Sequence, residues 1–153
     1  MVMRRARGFT LPEIVAVVGI LAILAGAGVP ALTDFIRSQR VKTVSFDLYS
    51  TLVQARSEAV TRNASVTVAP MTGTDWKTGW KVTAPGGAVL RQVNPVPNVD
   101  ITGPDNVVFR GSGRLNATAV PTFELTGGGW SSAATRCVTV DLSGRPVSKA
   151  ATC

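Results

Sequence analysis

A charge-free run of nineteen residues, Ile14 to Leu32, dominates the start of this chain. As an α-helix it extends about 28 Å, enough to cross the hydrocarbon core of a bilayer. Ahead of it lie Arg4, Arg5 and Arg7, and clustered cations hold their end of such a segment on the cytoplasmic side. Between the arginines and the run stands Gly8-Phe9-Thr10-Leu11-Pro12-Glu13. In a secretory signal the cleavage site follows the apolar stretch, which is then discarded. Here the one processing-like junction, Gly8 to Phe9, precedes it, so cutting removes the arginines and keeps the apolar segment. Glu13 breaks the pattern, because a carboxylate at full membrane depth costs about 2.5–3.5 kcal/mol and less near the interface. Either it snorkels among headgroups or it has a partner.

Residues Gly8 to Glu13 resemble the prepilin peptidase recognition site of the type IV pilin superfamily. The resemblance implies a leader, residues 1–8, cut after Gly8, and N-methylation of the new amino terminus at Phe9. Residues 9–32 then form a transmembrane and filament-core helix. It also implies a partner for Glu13: the positive amino terminus of a neighbouring subunit, which neutralises both charges as a subunit enters a filament. A paired buried charge costs far less than a lone one, so the contact also checks register. Pro12 replaces the aliphatic residue commoner in the family, and a helix's first turn tolerates proline well. Pro30 stands where pilins commonly carry proline, and it cannot donate to the Gly26 carbonyl, so a kink or local melting is expected there. Gly19, Ala22, Gly26, Ala27 and Gly28 would let neighbouring helices approach closely.

From residue 33 the helix is expected to continue to about Asn63, now amphipathic. Val44, Leu48, Leu52, Ala55 and Ala59 recur at helical spacing and form one apolar stripe. Residues 64–153 read as strands: 65–69, 79–83, 88–93, 107–109, 122–125 and 137–141. The stretch 94–104, with three prolines, reads as an irregular connection, Gly127 to Gly129 as a loop, and 143–146 as a turn before a short tail. The fold class is therefore α+β, a long N-terminal helix packed on a C-terminal antiparallel β-sheet domain.

Later residues narrow the resemblance. Arg56-Ser57-Glu58-Ala59, Trp76, Gly79-Trp80, Phe109, Gly113-Arg114, Arg136-Cys137-Val138, Gly144-Arg145 and Cys153 are similar to the GspH/FimT (FimT/FimU-type) group of minor pilins and pseudopilins. This implies a low-abundance subunit of a short complex that primes assembly, in a type IV pilus or, alternatively, in the pseudopilus of a type II secretion system. Prepilin peptidase, other minor and major pilins and the inner membrane are the implied partners, with the C-terminal domain periplasmic and then on the pilus, at its tip. Some members of the group bind DNA through a loop of pattern Gly-Arg-x-Arg. Here Gly144 and Arg145 match, Val147 stands in place of the second arginine, and Arg136 and Lys149 lie close by in sequence. Weak, sequence-independent binding of double-stranded DNA is one reading, and a solvated turn is the other.

Paired, Cys137 and Cys153 would close a short loop in an oxidising compartment, contributing roughly 3 kcal/mol. With no histidine and two cysteines, no metal site or cofactor is expected. The formal charge is +7, of which the octet carries three, so the chain from Phe9 onward is only mildly basic. Without histidine, and without a Gly-x-Ser-x-Gly nucleophile or paired carboxylates, no enzyme is expected. Trp80 sits in an alternating strand and reads as core, whereas Trp130 follows three glycines.

Overall fold

The computed structural model describes residues 9–128 and 135–153, the side chains of 27–31 excepted. The leader with Gly8, and Gly129 with Trp130, lie outside these residues. The chain forms two compact units, one ending at Ile36 and the other beginning at Arg37.

Helix α1 spans Leu11–Arg62. Its start is written in local chemistry. The Thr10 carbonyl accepts the N–H groups of Glu13 (3.1 Å) and Ile14 (3.2 Å), while the Thr10 N–H donates back to Glu13 Oε2 at 3.4 Å. This is a capping box, threonine at the cap and glutamate three residues on. Pro12 falls in the first turn, where its missing N–H breaks no bond. Beyond it the apolar side chains are bare: exposure runs from 48% at Val17 to 80% at Leu11, and nothing lies near Gly19 or Gly26. Among the described residues no helix is both long and apolar enough to cross a membrane. The nineteen-residue run expected to do so includes 27–31, and with them the Pro30 side chain.

In the second unit the predicted stripe is the core face of α1. Val41, Val44, Leu48, Leu52, Ala55 and Ala59 are all at most 4% exposed. The helix stops as expected. Asn63 takes a left-handed φ of 47°, its N–H reaches the Val60 carbonyl and the Ala64 N–H reaches the Ala59 carbonyl, both at 3.1 Å. These are the two bonds of a Schellman motif, with asparagine standing in for glycine.

Among the described residues eight strands follow: β1 Val66–Thr72, β2 Asp75–Thr83, β3 Val89–Val93, β4 Val99–Thr102, β5 Val107–Phe109, β6 Thr122–Gly127, β7 Arg136–Val140 and β8 Pro146–Lys149. They divide into two four-stranded antiparallel sheets, ordered β3-β2-β1-β5 and β4-β6-β7-β8. Two strands correct the sequence reading. β4 lies inside the stretch expected to be irregular, because its prolines flank a buried Val99 and Ile101 rather than interrupt them. β8 occupies the expected tail, opening with Pro146 at a sheet edge, where a missing donor costs no ladder bond. Gly127, expected in a loop, is the buried last residue of β6.

Aromatic side chains join the sheets. Trp76 of β2 meets Phe123 of β6 edge-on at 4.8 Å, and both are fully buried. The indole N–H of Trp76 donates to the Pro104 carbonyl (2.8 Å), and that of Trp80 to Thr51 Oγ1 on α1 (3.2 Å). Trp80 is thus core, as its alternation implied, and both buried donors are satisfied.

Candidate functional site

Two hairpin turns carry the glycine-arginine pairs Gly113-Arg114 and Gly144-Arg145 singled out by sequence. In the first, the Arg110 N–H donates to the Arg114 carbonyl and the Gly113 N–H to the Arg110 carbonyl, both at 2.8 Å. In the second, the Asp141 N–H donates to the Arg145 carbonyl (3.1 Å) and the Gly144 N–H to the Asp141 carbonyl (2.8 Å). Both are three-residue loops closed by a left-handed residue, Gly113 at φ 75° and Gly144 at φ 85°. The turns pack on each other. A Cβ on Gly144 would collide with the Gly113 carbonyl oxygen, and one on Gly113 would stand 2.9 Å from Val60 Cγ2.

Arg56 of α1 locks this pair. Its Nε donates to the Gly113 carbonyl at 3.1 Å and its Nη2 to the Ser143 carbonyl at 3.4 Å. Arg56, Gly113-Arg114 and Gly144-Arg145, scattered in sequence, are therefore one clasp between helix and turns. The glycines are buried within it; Arg114 and Arg145 are exposed outside it.

Asp141 shapes the second turn, its Oδ1 accepting bonds from Ser143 Oγ and from the Arg145 N–H (3.0 Å). The Ser143 hydrogen bond, and then that of Arg145, hold the carboxyl below the ordinary aspartate range. Such a group stabilises the fold above its unfolded pKa, and the contribution disappears as pH falls through the lower folded value. An NMR titration should find the Asp141 midpoint below that of a free aspartate, and Ser143→Ala should raise it. An unchanged midpoint in that variant would remove the hydroxyl from the account.

The remaining predicted residues sit as follows. Cys137 and Cys153 are bonded, Cα to Cα 5.1 Å, and tie the tail to β7. Lys149 ends β8 opposite Cys137 and is exposed. Arg136 opens β7 half-buried, with its Nε buried and without a hydrogen-bond partner among the described residues. Arg136 and Arg145 share a cleft of about 590 Å³ with Val147 of β8 and with Lys42, Phe46 and Tyr49 of α1. Gly144 and Lys149 do not line it. Phe9 and Glu13 lie exposed at the start of α1, next to the capping box. Sequence reasoning missed the cleft. Its one signal is Phe46, a large apolar side chain off the buried stripe.

A family model described as Type II transport protein GspH matches residues 46–144, well over half of the chain. The chain belongs to the GspH family. That match takes in Arg56, the Gly113-Arg114 turn, the second turn as far as Gly144, and strands β1 to β7. A second model, the prokaryotic N-terminal methylation motif, matches residues 3–29 and so contains Gly8, Phe9 and Glu13. It implies processing by prepilin peptidase and other pilins as partners. The fold is similar to the type IV minor pilin FimU of Pseudomonas aeruginosa PAO1 in two crystal forms. In space group P21 the TM-score is 0.65 at 20% identity, covering 75% of this chain and 92% of that one. In space group P65 it is 0.62 at 21% identity, covering 71% and 91%. No curated protein matches the chain. It is a GspH/FimT-like minor pilin or pseudopilin of the type IV pilin class.

Proposed function

We propose that this GspH-family chain is a non-catalytic minor pilin of a type IV pilus that primes filament assembly. Residues 9–32 anchor it in the inner membrane, the second unit folds in the periplasm, and the processed subunit enters the pilus at its tip. The observation that carries the reading is the exposed apolar start of α1, with exposed Phe9 and Glu13 at its head. Nothing in the isolated subunit covers those described side chains, and like helices or lipid are the surroundings that would. Deleting the gene should abolish or sharply reduce surface pili and twitching, with exoprotein secretion unchanged. The opposite pattern supports the pseudopilin reading, which the description of the GspH family favours.

A second activity is weak DNA binding. The adjoining turns present Arg114 and Arg145 to solvent; two such cations give salt-dependent, sequence-independent contacts that become useful when several copies act together. At low salt the full chain in detergent should retard duplex DNA, and the double variant Arg114→Ala, Arg145→Ala should not. Equal retardation by both proteins would end this reading.

A further inference from the structure

The cleft between α1 and β8 is separate from the helix start and shares Arg145 with the exposed arginine turns. We propose that it binds an extended acidic segment of a partner protein, laid along β8 as an added strand.

Three features converge there. The first is charge: Lys42, Arg136 and Arg145 line the cleft, and among the described residues no acidic side chain does. Asp141 in the neighbouring turn already spends its carboxylate on Ser143 Oγ and the Arg145 N–H. Arg136 in particular keeps a buried Nε–H with no partner among the described residues, a loss that a ligand carboxylate would recover through a charge-assisted hydrogen bond.

The second is an apolar wall. Phe46 is 66% exposed although it sits on the half of α1 that packs on the sheets, and its ring stacks with Tyr49, centroids 6.4 Å apart. The third is the sheet edge. β8 is the last strand of its sheet, paired only with β7 among the described residues, and Pro146, Val147 and Ser148 border the cleft. An open edge offers backbone donors and acceptors that another peptide backbone satisfies in register.

The edge decides between classes of partner. A polyanion such as nucleic acid would answer the cations and stack on Phe46, but it has no backbone amides for β8. A strand does both: its side chains alternate, so carboxylates at every second position face one side and apolar residues the other. The cleft volume, about 590 Å³, lies within the roughly 300–1,000 Å³ typical of ligand sites.

The test uses the full chain in detergent and a fluorescein-labelled hexapeptide alternating aspartate and valine, read by anisotropy. Binding should weaken at least tenfold when lysine replaces aspartate in the peptide. It should weaken at least fivefold with Arg136→Gln and with Phe46→Ser, in proteins whose melting is unchanged. A third probe leaves the protein untouched: N-methylating alternate backbone nitrogens of the peptide, on the edge that would pair, should abolish binding. The proposal is overturned by absence of binding, by equal affinity for the lysine peptide, or by full binding of both N-methylated registers. Displacement by short oligothymidylate at equal charge would also overturn it and make the cleft a nucleic-acid site.

Discussion

If the chain is the minor pilin proposed, Glu13→Ala should leave the protein at normal levels in the inner membrane and remove it from sheared filaments. The alanine variant loses the capping-box contact to the Thr10 N–H, a change worth about 0.3–1.5 kcal/mol to the helix start. That alone does not keep a 52-residue helix out of a filament. On the proposed function, what would exclude it is the uncompensated amino terminus of a neighbouring Phe9, since breaking a buried ion pair costs about 3–5 kcal/mol, two to more than three orders of magnitude in incorporation. Glu13→Gln separates the two roles. Glutamine serves a capping box as well as glutamate but brings no charge, so it should fail in assembly as alanine does. Normal recovery of Glu13→Gln in sheared pili would reduce Glu13 to a helix cap.

Gly144→Ala unfolds the clasp. The left-handed backbone costs a residue with a Cβ about 1–2 kcal/mol, and the collision with the Gly113 carbonyl adds about 1–3 kcal/mol of overpacking. Against a typical domain stability of about 5–15 kcal/mol, the sum is a large fraction, and urea unfolding of the full chain in detergent should show the midpoint fall accordingly. Gly86→Ala is the control, with φ 83° but open space around the new methyl group; it should show the conformational cost alone. Arg56→Ala should also destabilise, by less, because two carbonyl oxygens lose a donor but can meet water. Equal effects for Gly144→Ala and Gly86→Ala would mean that the turns do not press on each other as described.

What could be read from sequence was what depends on neighbours along the chain. The stripe Val44 to Ala59, the stop at Asn63 and the motif around Phe9 and Glu13 all follow from spacing of a few residues. β4 and β8 escaped because Pro97 and Pro146 look like breakers when only the sequence is visible; in the fold one stands before a strand and the other opens an edge. The division into two sheets was not legible, since it rests on contacts such as Trp76 with Phe123, remote in sequence. The clasp was half legible. The repeated Gly113-Arg114 and Gly144-Arg145 stood out, but Arg56 bonds to backbone carbonyls 57 and 87 positions away, and carbonyls carry no residue signature. Gly144, read as part of a DNA-binding pattern, has its amide spent on Asp141 and its face spent on Gly113, whereas the adjacent Arg145 is exposed.

The covalent link between Cys137 and Cys153 has a mechanical consequence. If tension enters through the helix and the chain is drawn out from its far end, the segment between the two sulfurs adds no length. Sixteen residues at full stretch amount to about 55 Å of hidden slack. Oxidised protein should therefore lengthen that much less than reduced protein when pulled apart between its termini, and β8 should leave the sheet only together with β7.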